Sequence, residues 1–180
     1  MVPAPVVLVL ASGRGERFLA SGGQTHKLQA LLGTKSVLQH TLQAVRESGL
    51  QWHLEQGAHD SMGDSIVAAV RATAHFAGWL ILPGDLPLIQ SATLQAVAAA
   101  LREHSVVVPT HAGQRGHPVG FAACCRAALL NLNGANGARQ VIDKYPSIRL
   151  AVTDSGSVTD IDTLDDLHAA ERALHLRAQP

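Results

Sequence analysis

Cysteine is almost missing from this chain: its 180 residues hold two, Cys124 and Cys125, side by side. Neighbouring residues are poorly placed for an ordinary disulfide, and no CxxC pair is present to suggest zinc. Net charge is missing too, since 14 Lys and Arg offset 14 Asp and Glu. With no acidic or basic tail there is no general case for nucleic-acid binding, and any positive field must be local. Runs long and apolar enough to span a membrane are absent, as are the basic start and long apolar stretch of a signal peptide. No repeat, low-complexity tract or linker interrupts the chain, and its length suffices to bury one continuous core. The expectation is a single domain over residues 1–180, soluble and cytoplasmic, with neither nucleic acid nor membrane as a partner. Ten histidines are scattered along it, and all but His117 read as solvated surface residues.

What is present is alternation. Apolar runs alternate with helix-like stretches, which indicates βαβ units and a mainly parallel sheet covered on both faces, an α/β three-layer αβα sandwich. The spacing predicts helices from a Ser36 cap to Glu47, from Ser61 to about Phe76, from a Ser91 cap to Glu103, and from Cys124 to Leu132, with both cysteines in the core. A last helix, capped by Thr163, runs to about Arg177 and is expected to lay Leu164, Leu167, Ala170 and Leu174 on the sheet. Strands are predicted at Val6–Leu10, Leu50–Glu55 (with Trp52 and Leu54 inward), Trp79–Leu82, Ser105–Pro109 and Ile148–Val152.

The chemistry is concentrated where strands end. Val6–Leu10 breaks into Ala11-Ser12-Gly13-Arg14-Gly15, a turn whose free N–H groups and glycines suit an anion, with Arg14, Arg17 and Lys27 adding charge nearby. A polyphosphate fits that pattern. A Walker loop fits it poorly, because Leu28 rather than Ser or Thr follows Lys27. A dinucleotide fingerprint fits it poorly too, because Phe18 stands where the third glycine belongs. Pro83-Gly84-Asp85 places a carboxylate at a second strand end, a ligand a hard divalent cation favours. Asp160 and Asp162 alternate and point the same way if extended, with Asp162 the better second metal contact and Asp160 next. Asp165 and Asp166 read as helix-starting residues. Ser65 falls in a first helical turn, where a hydroxyl can meet a ribose or base. His117 is held before Pro118, so its ring can be aimed into a cleft, and Arg115 beside it can reach an anion.

Together these residues resemble one family. Leu10-Ala11-Ser12-Gly13-Arg14-Gly15-Glu16-Arg17-Phe18 with Lys27-Leu28 is similar to the L-A-A-G-x-G-x-R-[MF]…K-L signature of MobA-like nucleotidyltransferases. Ser61–Ile66 resembles the family's G-M-x-x-S-[LI] segment, Pro83–Pro87 its G-D-[ML]-P turn, and Gly113–Val119 its G-x-R-G-H-P-V run. Asn133–Arg139 resembles G-D-x-G-A-R with Ala135 in place of the aspartate, and Asp160–Leu167 resembles D-I-D-T-P-E-D-L. The resemblance implies a nucleotide-diphospho-sugar transferase-like (Rossmann-like) fold. It also implies transfer of a nucleoside monophosphate to a phosphorylated acceptor with release of pyrophosphate.

In that frame Arg17, Lys27 and Asp85 are catalytic. Leu10, Ala11, Ser12, Gly13, Arg14, Gly15, Lys27, Ser65 and Gly84 hold the nucleotide, and Arg115, His117 and Arg139 the acceptor. Asp85, Asp162 and Asp160 hold Mg2+. The L-A-A-G form accompanies cytidine transfer, which points to CTP and a molybdopterin acceptor in molybdenum-cofactor biosynthesis, with a molybdoenzyme or its chaperone downstream. The chain departs from the family at three places: a glycine-rich arm, Ser21–His26, expected to be mobile; a βα unit shortened near residues 50–60; and Ala135. Two other readings stay open, a nucleotidyltransferase for sugar phosphates or other small acceptors, and a non-catalytic accessory protein binding nucleotide or molybdopterin. A dehydrogenase is a distant third.

Overall fold

The computed structural model describes residues 4–134 and 136–177; the expected role of Ala135 lies outside them. The central strand β1 (Val6–Leu10) is buried along its whole length, as a strand covered on both faces must be. Its successive side chains leave in opposite directions. Val6, Leu8 and Leu10 pack with Ile66 and Val70 of α3 (Met62–Ala72) and Leu129 of α5 (Arg126–Leu130). Val7 and Val9 pack with Leu42 and Val45 of α2 (Val37–Glu47) and Leu94 and Val97 of α4 (Ser91–Ala100). Alternation within one strand thus generates the two helical layers.

On either side β1 pairs in parallel with β4 (Trp52–Glu55) and β5 (Gly78–Pro83). Next to β5 comes β8 (Val119–Ala122), antiparallel, then β6 (Val106–His111), which pairs in parallel with β9 (Ser147–Ala151). A short β7 (Gln114–Arg115) turns back on the end of β6. The sheet is mixed, mainly parallel, and flanked by helices as expected.

A third cluster lies off the sheet. Phe18 of α1 (Glu16–Ala20) and Leu32 of a hairpin, β2 (Leu31–Leu32) with β3 (Lys35–Ser36), pack with Leu164, Leu167, Ala170 and Leu174 of α7 (Leu164–Arg177). The terminal helix therefore covers the glycine loop and its hairpin rather than the sheet. The arm Ser21–His26 is tied down as well. Ser21 Oγ donates to the Phe18 carbonyl at 2.8 Å and accepts the Leu164 N–H at 3.0 Å, and Gly23 lies so close to the Phe18 ring that a Cβ would collide with it.

Several expected elements change at their ends. Ser36 caps α2 in a capping box with Gln39, and Gly49 (φ 71°) follows the helix. Trp52 sits on the edge strand, 38% exposed, with the Arg46 guanidinium 5.5 Å from its ring centre. An edge strand has only one covered neighbour, so the expected inward Trp does not materialise. Helix α3 stops at Ala72, where Thr73 Oγ1 bonds the Ala69 carbonyl and accepts the buried Trp79 indole N–H. The expected Cys124–Leu132 helix is a 3-10 turn, Ala123–Cys125, leading into the five residues of α5. Cys125 is buried and Cys124 exposed, and burial pushes the Cys125 thiol up to about 12, with Cys124 adding to it. Among the described residues no helix is long and apolar enough to cross a membrane.

Helix α4 starts at Ser91 after Gln90, and neither residue caps it through a side chain. Asp154, 2% exposed, does so from a distant segment: it accepts from Gln90 N–H at 2.9 Å, Thr93 Oγ1 at 2.8 Å and Gly156 N–H at 2.9 Å. Removing that carboxylate strands buried donors and exposes the helix start. Asp154→Ala is expected to lose about 2–4 kcal/mol of unfolding free energy in urea titrations; a loss under about 1 kcal/mol would mean that α4 caps itself.

Candidate active site

Three strand ends meet at one level. Leu10 of β1 pairs with Pro83 of β5 on one side and Glu55 of β4 on the other. The segments after all three therefore share the carboxyl edge of the sheet, where open α/β sheets bind ligands. Gly84 N–H donates to the Leu10 carbonyl at 2.8 Å, and the Gly84 carbonyl accepts from the buried Thr41 hydroxyl at 2.9 Å. A Cβ on Gly84 would lie 3.1 Å from that Leu10 oxygen, so a side chain there would press the Asp85 turn away from β1.

The glycine loop begins one residue later. Gly15 sits at φ 66°, in the left-handed region that glycine adopts without penalty. Gly13 has open space where a Cβ would be, and among the described residues no acceptor meets the N–H groups of Ser12 to Gly15. These are the features of an anion cradle. His26 Nε2 lies 2.6 Å from the Gly13 carbonyl and holds the loop from below.

At the centre is a knot of charge. Lys27 Nζ donates to Asp85 Oδ2 at 2.6 Å and to Asp162 Oδ1 at 3.0 Å, and Arg17 lies 2.8 Å from Asp162 Oδ2. Burial disfavours the Lys27 charge, but the two carboxylates outweigh it and raise the pKa above its ordinary value. Asp85, Asp160 and Asp162 each offer a carboxylate oxygen within 4.8 Å of the others. Among the described residues Asp85 Oδ1 is buried without a hydrogen-bond partner. Three converging carboxylates, one of them with an unsatisfied oxygen, suit a hard divalent cation. The Asp160 carboxyl is raised above the usual range, first by desolvation and then by the charges of Asp85 and Asp162, although the residue as a whole is exposed. Asp166 accepts from the Asp162 and Thr163 N–H groups and starts α7, as expected of it.

A cavity of about 500 Å³ opens over this centre. Leu10, Ser12, Gly13, Arg14 and Gly15 line its loop side, and Arg17, Lys27, Ser65, Gly84, Asp85 and Asp162 line the rest. Ala11 lines neither this cavity nor its neighbour; its N–H is used by the Glu55 carbonyl at 2.8 Å and it packs into the third cluster. The neighbouring cavity, about 450 Å³, shares Leu10, Met62 and Pro83 with the first and is lined by Arg115, His117 and Arg139. Residues far apart in the chain and singled out as one group thus surround one space. Burial holds the His117 imidazole below its ordinary pKa, against the nearby Asp85 charge and the Ile81 backbone, and its Nδ1 is buried without a partner among the described residues.

A stretch of the chain that carries Ser65, Asp85, Arg115, His117 and Arg139, residues 43–149, matches the model of the MobA-like NTP transferase domain. The chain belongs to the MobA-like NTP transferase family. Solved structures agree in fold across nearly the whole length. Rv0371c from Mycobacterium tuberculosis H37Rv superposes with a TM-score of 0.80 at 21% identity, covering 96% of this chain and 99% of its own. That protein has also been solved as a complex with manganese. A nucleotidyl transferase from Methanothermobacter gives a TM-score of 0.80 at 19% identity, over 98% of this chain and 99% of its own. Molybdopterin-guanine dinucleotide biosynthesis protein A from Archaeoglobus fulgidus gives 0.68 at 19%, over 94% and 98%. One curated sequence, the Escherichia coli K12 protein YagP, named for a LysR-family substrate-binding domain, is 81% identical over 26 residues. That match spans only 14% of this chain and 19% of YagP.

Sequence reasoning missed the wall contributed by the end of β4. His59 and Asp60 line the first cavity, and Glu55 Oε1 holds His59 Nε2 at 3.0 Å and the Gly57 N–H at 2.9 Å. No local signal marks them: it is the parallel pairing of β4 with β1 that opens its carboxyl end on the same crevice. Ser12 and Ser65 also hydrogen-bond one another through their hydroxyls, joining the loop to α3. Desolvation opposes ionisation of Glu55, but the bonds from His59, Gly57 and His53 outweigh it and lower the carboxyl below its ordinary 4.5. A lowered folded-state pKa stabilises above the unfolded value and loses that effect as pH falls through the folded one. The thermal stability margin of the wild type over Glu55→Gln should therefore hold at neutral pH and fade below about pH 4.5; a margin that does not change with pH would contradict it.

Proposed function

We propose that residues 1–180 form one nucleotidyltransferase domain that transfers a nucleoside monophosphate, CMP from CTP, to the phosphate of a molybdopterin acceptor and releases pyrophosphate. The observation that carries this reading is the pair of adjoining cavities, one lined by the phosphate loop with Lys27, Asp85 and Asp162 and the other by Arg115, His117 and Arg139. Membership of the MobA-like family supports the transferase chemistry. The cytidine and molybdopterin assignments rest on the resemblance of Leu10–Gly13, Gly113–Val119 and Asp160–Thr163 to family motifs.

Each residue then has a task. The N–H groups of Ser12 to Gly15 receive the triphosphate, with Lys27, Arg17 and Arg14 offsetting its charge. Gly84 lets the turn carrying Asp85 sit against β1 at the nucleotide side, and Ser65 presents a hydroxyl to the ribose or base. Arg115 and Arg139 hold the acceptor phosphate, and neutral His117 offers a hydrogen bond without adding charge. Asp85, Asp162 and Asp160 would hold Mg2+, which when bound supplies charge neutralisation across the phosphate oxygens. An acceptor phosphate oxygen then attacks the α-phosphorus, the bond to the bridging oxygen breaks, and pyrophosphate leaves with that electron pair. This chemistry asks a protein for positioning and charge stabilisation, so no protein nucleophile is required.

Calorimetric titration with CTP, GTP, ATP and UTP, each with magnesium, tests the reading. CTP is expected to bind selectively, and Lys27→Ala to weaken it about tenfold or more, as loss of a charge-assisted contact does. Asp85→Ala should cut turnover at least about a hundredfold with acceptor binding retained, whereas a non-catalytic accessory protein would keep its activity. GTP preference would keep the transferase and change the nucleotide. Absence of binding by all four would remove the reading.

A further inference from the structure

Lys27 is bonded to two of the three clustered aspartates, an arrangement unusual for a residue whose proposed partner is a phosphate. Four carboxylate oxygens belong to Asp85 and Asp162. Lys27 takes Asp85 Oδ2 and Asp162 Oδ1, and Arg17 takes Asp162 Oδ2. Asp85 Oδ1 is left buried and unpartnered among the described residues. The Lys27 and Asp85 side chains are only 14% and 15% exposed, so water screens the pair weakly.

We propose that Lys27 is the resident cation of this acidic cluster, occupying the oxygens a divalent cation needs, and that an arriving triphosphate draws it away and so opens the metal site. This rests on the nucleotidyltransferase reading of the same cavity. An ammonium already bonded to two of the oxygens competes with a second cation for them by charge and by space. The path of the side chain allows the exchange. Lys27 Cγ lies 3.4 Å from where a Gly15 Cβ would be, so the stem passes beneath the glycine loop. From there its flexible four-carbon chain can swing the ammonium from the carboxylates to anionic oxygens held by the loop. Arg17, its side chain 78% exposed, is free to follow.

Metal and triphosphate therefore bind with positive coupling, and by linkage each favours the other equally. A neutral residue of similar length at position 27 should move the two affinities in opposite directions.

The test uses the full chain as wild type, Lys27→Met and Lys27→Arg. Mn2+ binding is followed by electron paramagnetic resonance without nucleotide, and inorganic triphosphate binding by calorimetry in EDTA. Lys27→Met is expected to bind Mn2+ about tenfold or more tightly than wild type and inorganic triphosphate about tenfold or more weakly. Lys27→Arg should stay near wild type for Mn2+. Unchanged or weaker Mn2+ binding in Lys27→Met overturns the proposal, as does equal tightening in Lys27→Arg, which would make the effect one of shape. Should Lys27→Met fold poorly, its thermal stabilisation by Mn2+ gives the same answer: a larger shift than in wild type supports cation exchange, and an equal or smaller one overturns it. The nucleotide titrations separate the two ideas. CTP binding with no Mn2+ effect at Lys27 removes this proposal alone. A Mn2+ effect without binding of any nucleotide removes the transferase reading and leaves the competition for the carboxylates.

Discussion

The site depends on one constraint of register: β4, β1 and β5 end level with one another. Because Leu10 lies between Glu55 and Pro83, the glycine loop, the Asp85 turn and the His59 segment emerge side by side. The bond from Gly84 N–H to the Leu10 carbonyl continues this register past the strands themselves. Shifting β5 by a single residue would exchange the side chains it gives to the two helical layers and carry Asp85 away from the loop. The apolar packing that aligns these strands is thus the same force that assembles the phosphate and metal groups.

A second level of organisation comes from the turn at Ser155–Val158. Asp154 fastens it to the start of α4, and Gly156 presses on the Leu88 carbonyl with no room for a Cβ. The Ser157 carbonyl accepts the His117 N–H at 2.8 Å, and the Asp85 carbonyl accepts the Ile161 N–H at 2.9 Å. One buried turn therefore sets the Asp160–Asp162 carboxylates against Asp85 and positions the histidine of the adjoining cavity. The charged centre can tolerate like charges at close range because Lys27 and Arg17 lie among them.

Much of this was legible along the chain. The uninterrupted apolar run of β1 announced a strand buried on both faces. Glycine, proline and aspartate at strand ends announced loops with chemistry, and the Ser36 capping box announced α2. Other features were not legible, because they depend on what lies across the fold. Trp52 has the composition of a core residue, yet edge placement leaves it under Arg46. Ser91 has the composition of a cap, yet the capping carboxylate comes from Asp154. The glycine-rich Ser21–His26 arm has the composition of a mobile loop, yet α7 and Phe18 hold it.

By itself the sequence determined the alternation of strand and helix, and the residue types at each strand end. Both are local: periodicity sets which face is apolar, and glycine or proline sets which turns the backbone can make. Only the tertiary structure decided that Lys27 would lie between Asp85 and Asp162, residues 58 and 135 positions away. It alone brought His59 and Asp60 to the cavity wall and arranged Arg115, His117 and Arg139 around a second cavity sharing Leu10, Met62 and Pro83. These contacts depend on strand order and register, which come from burying two apolar faces at once and have no local signature in the chain.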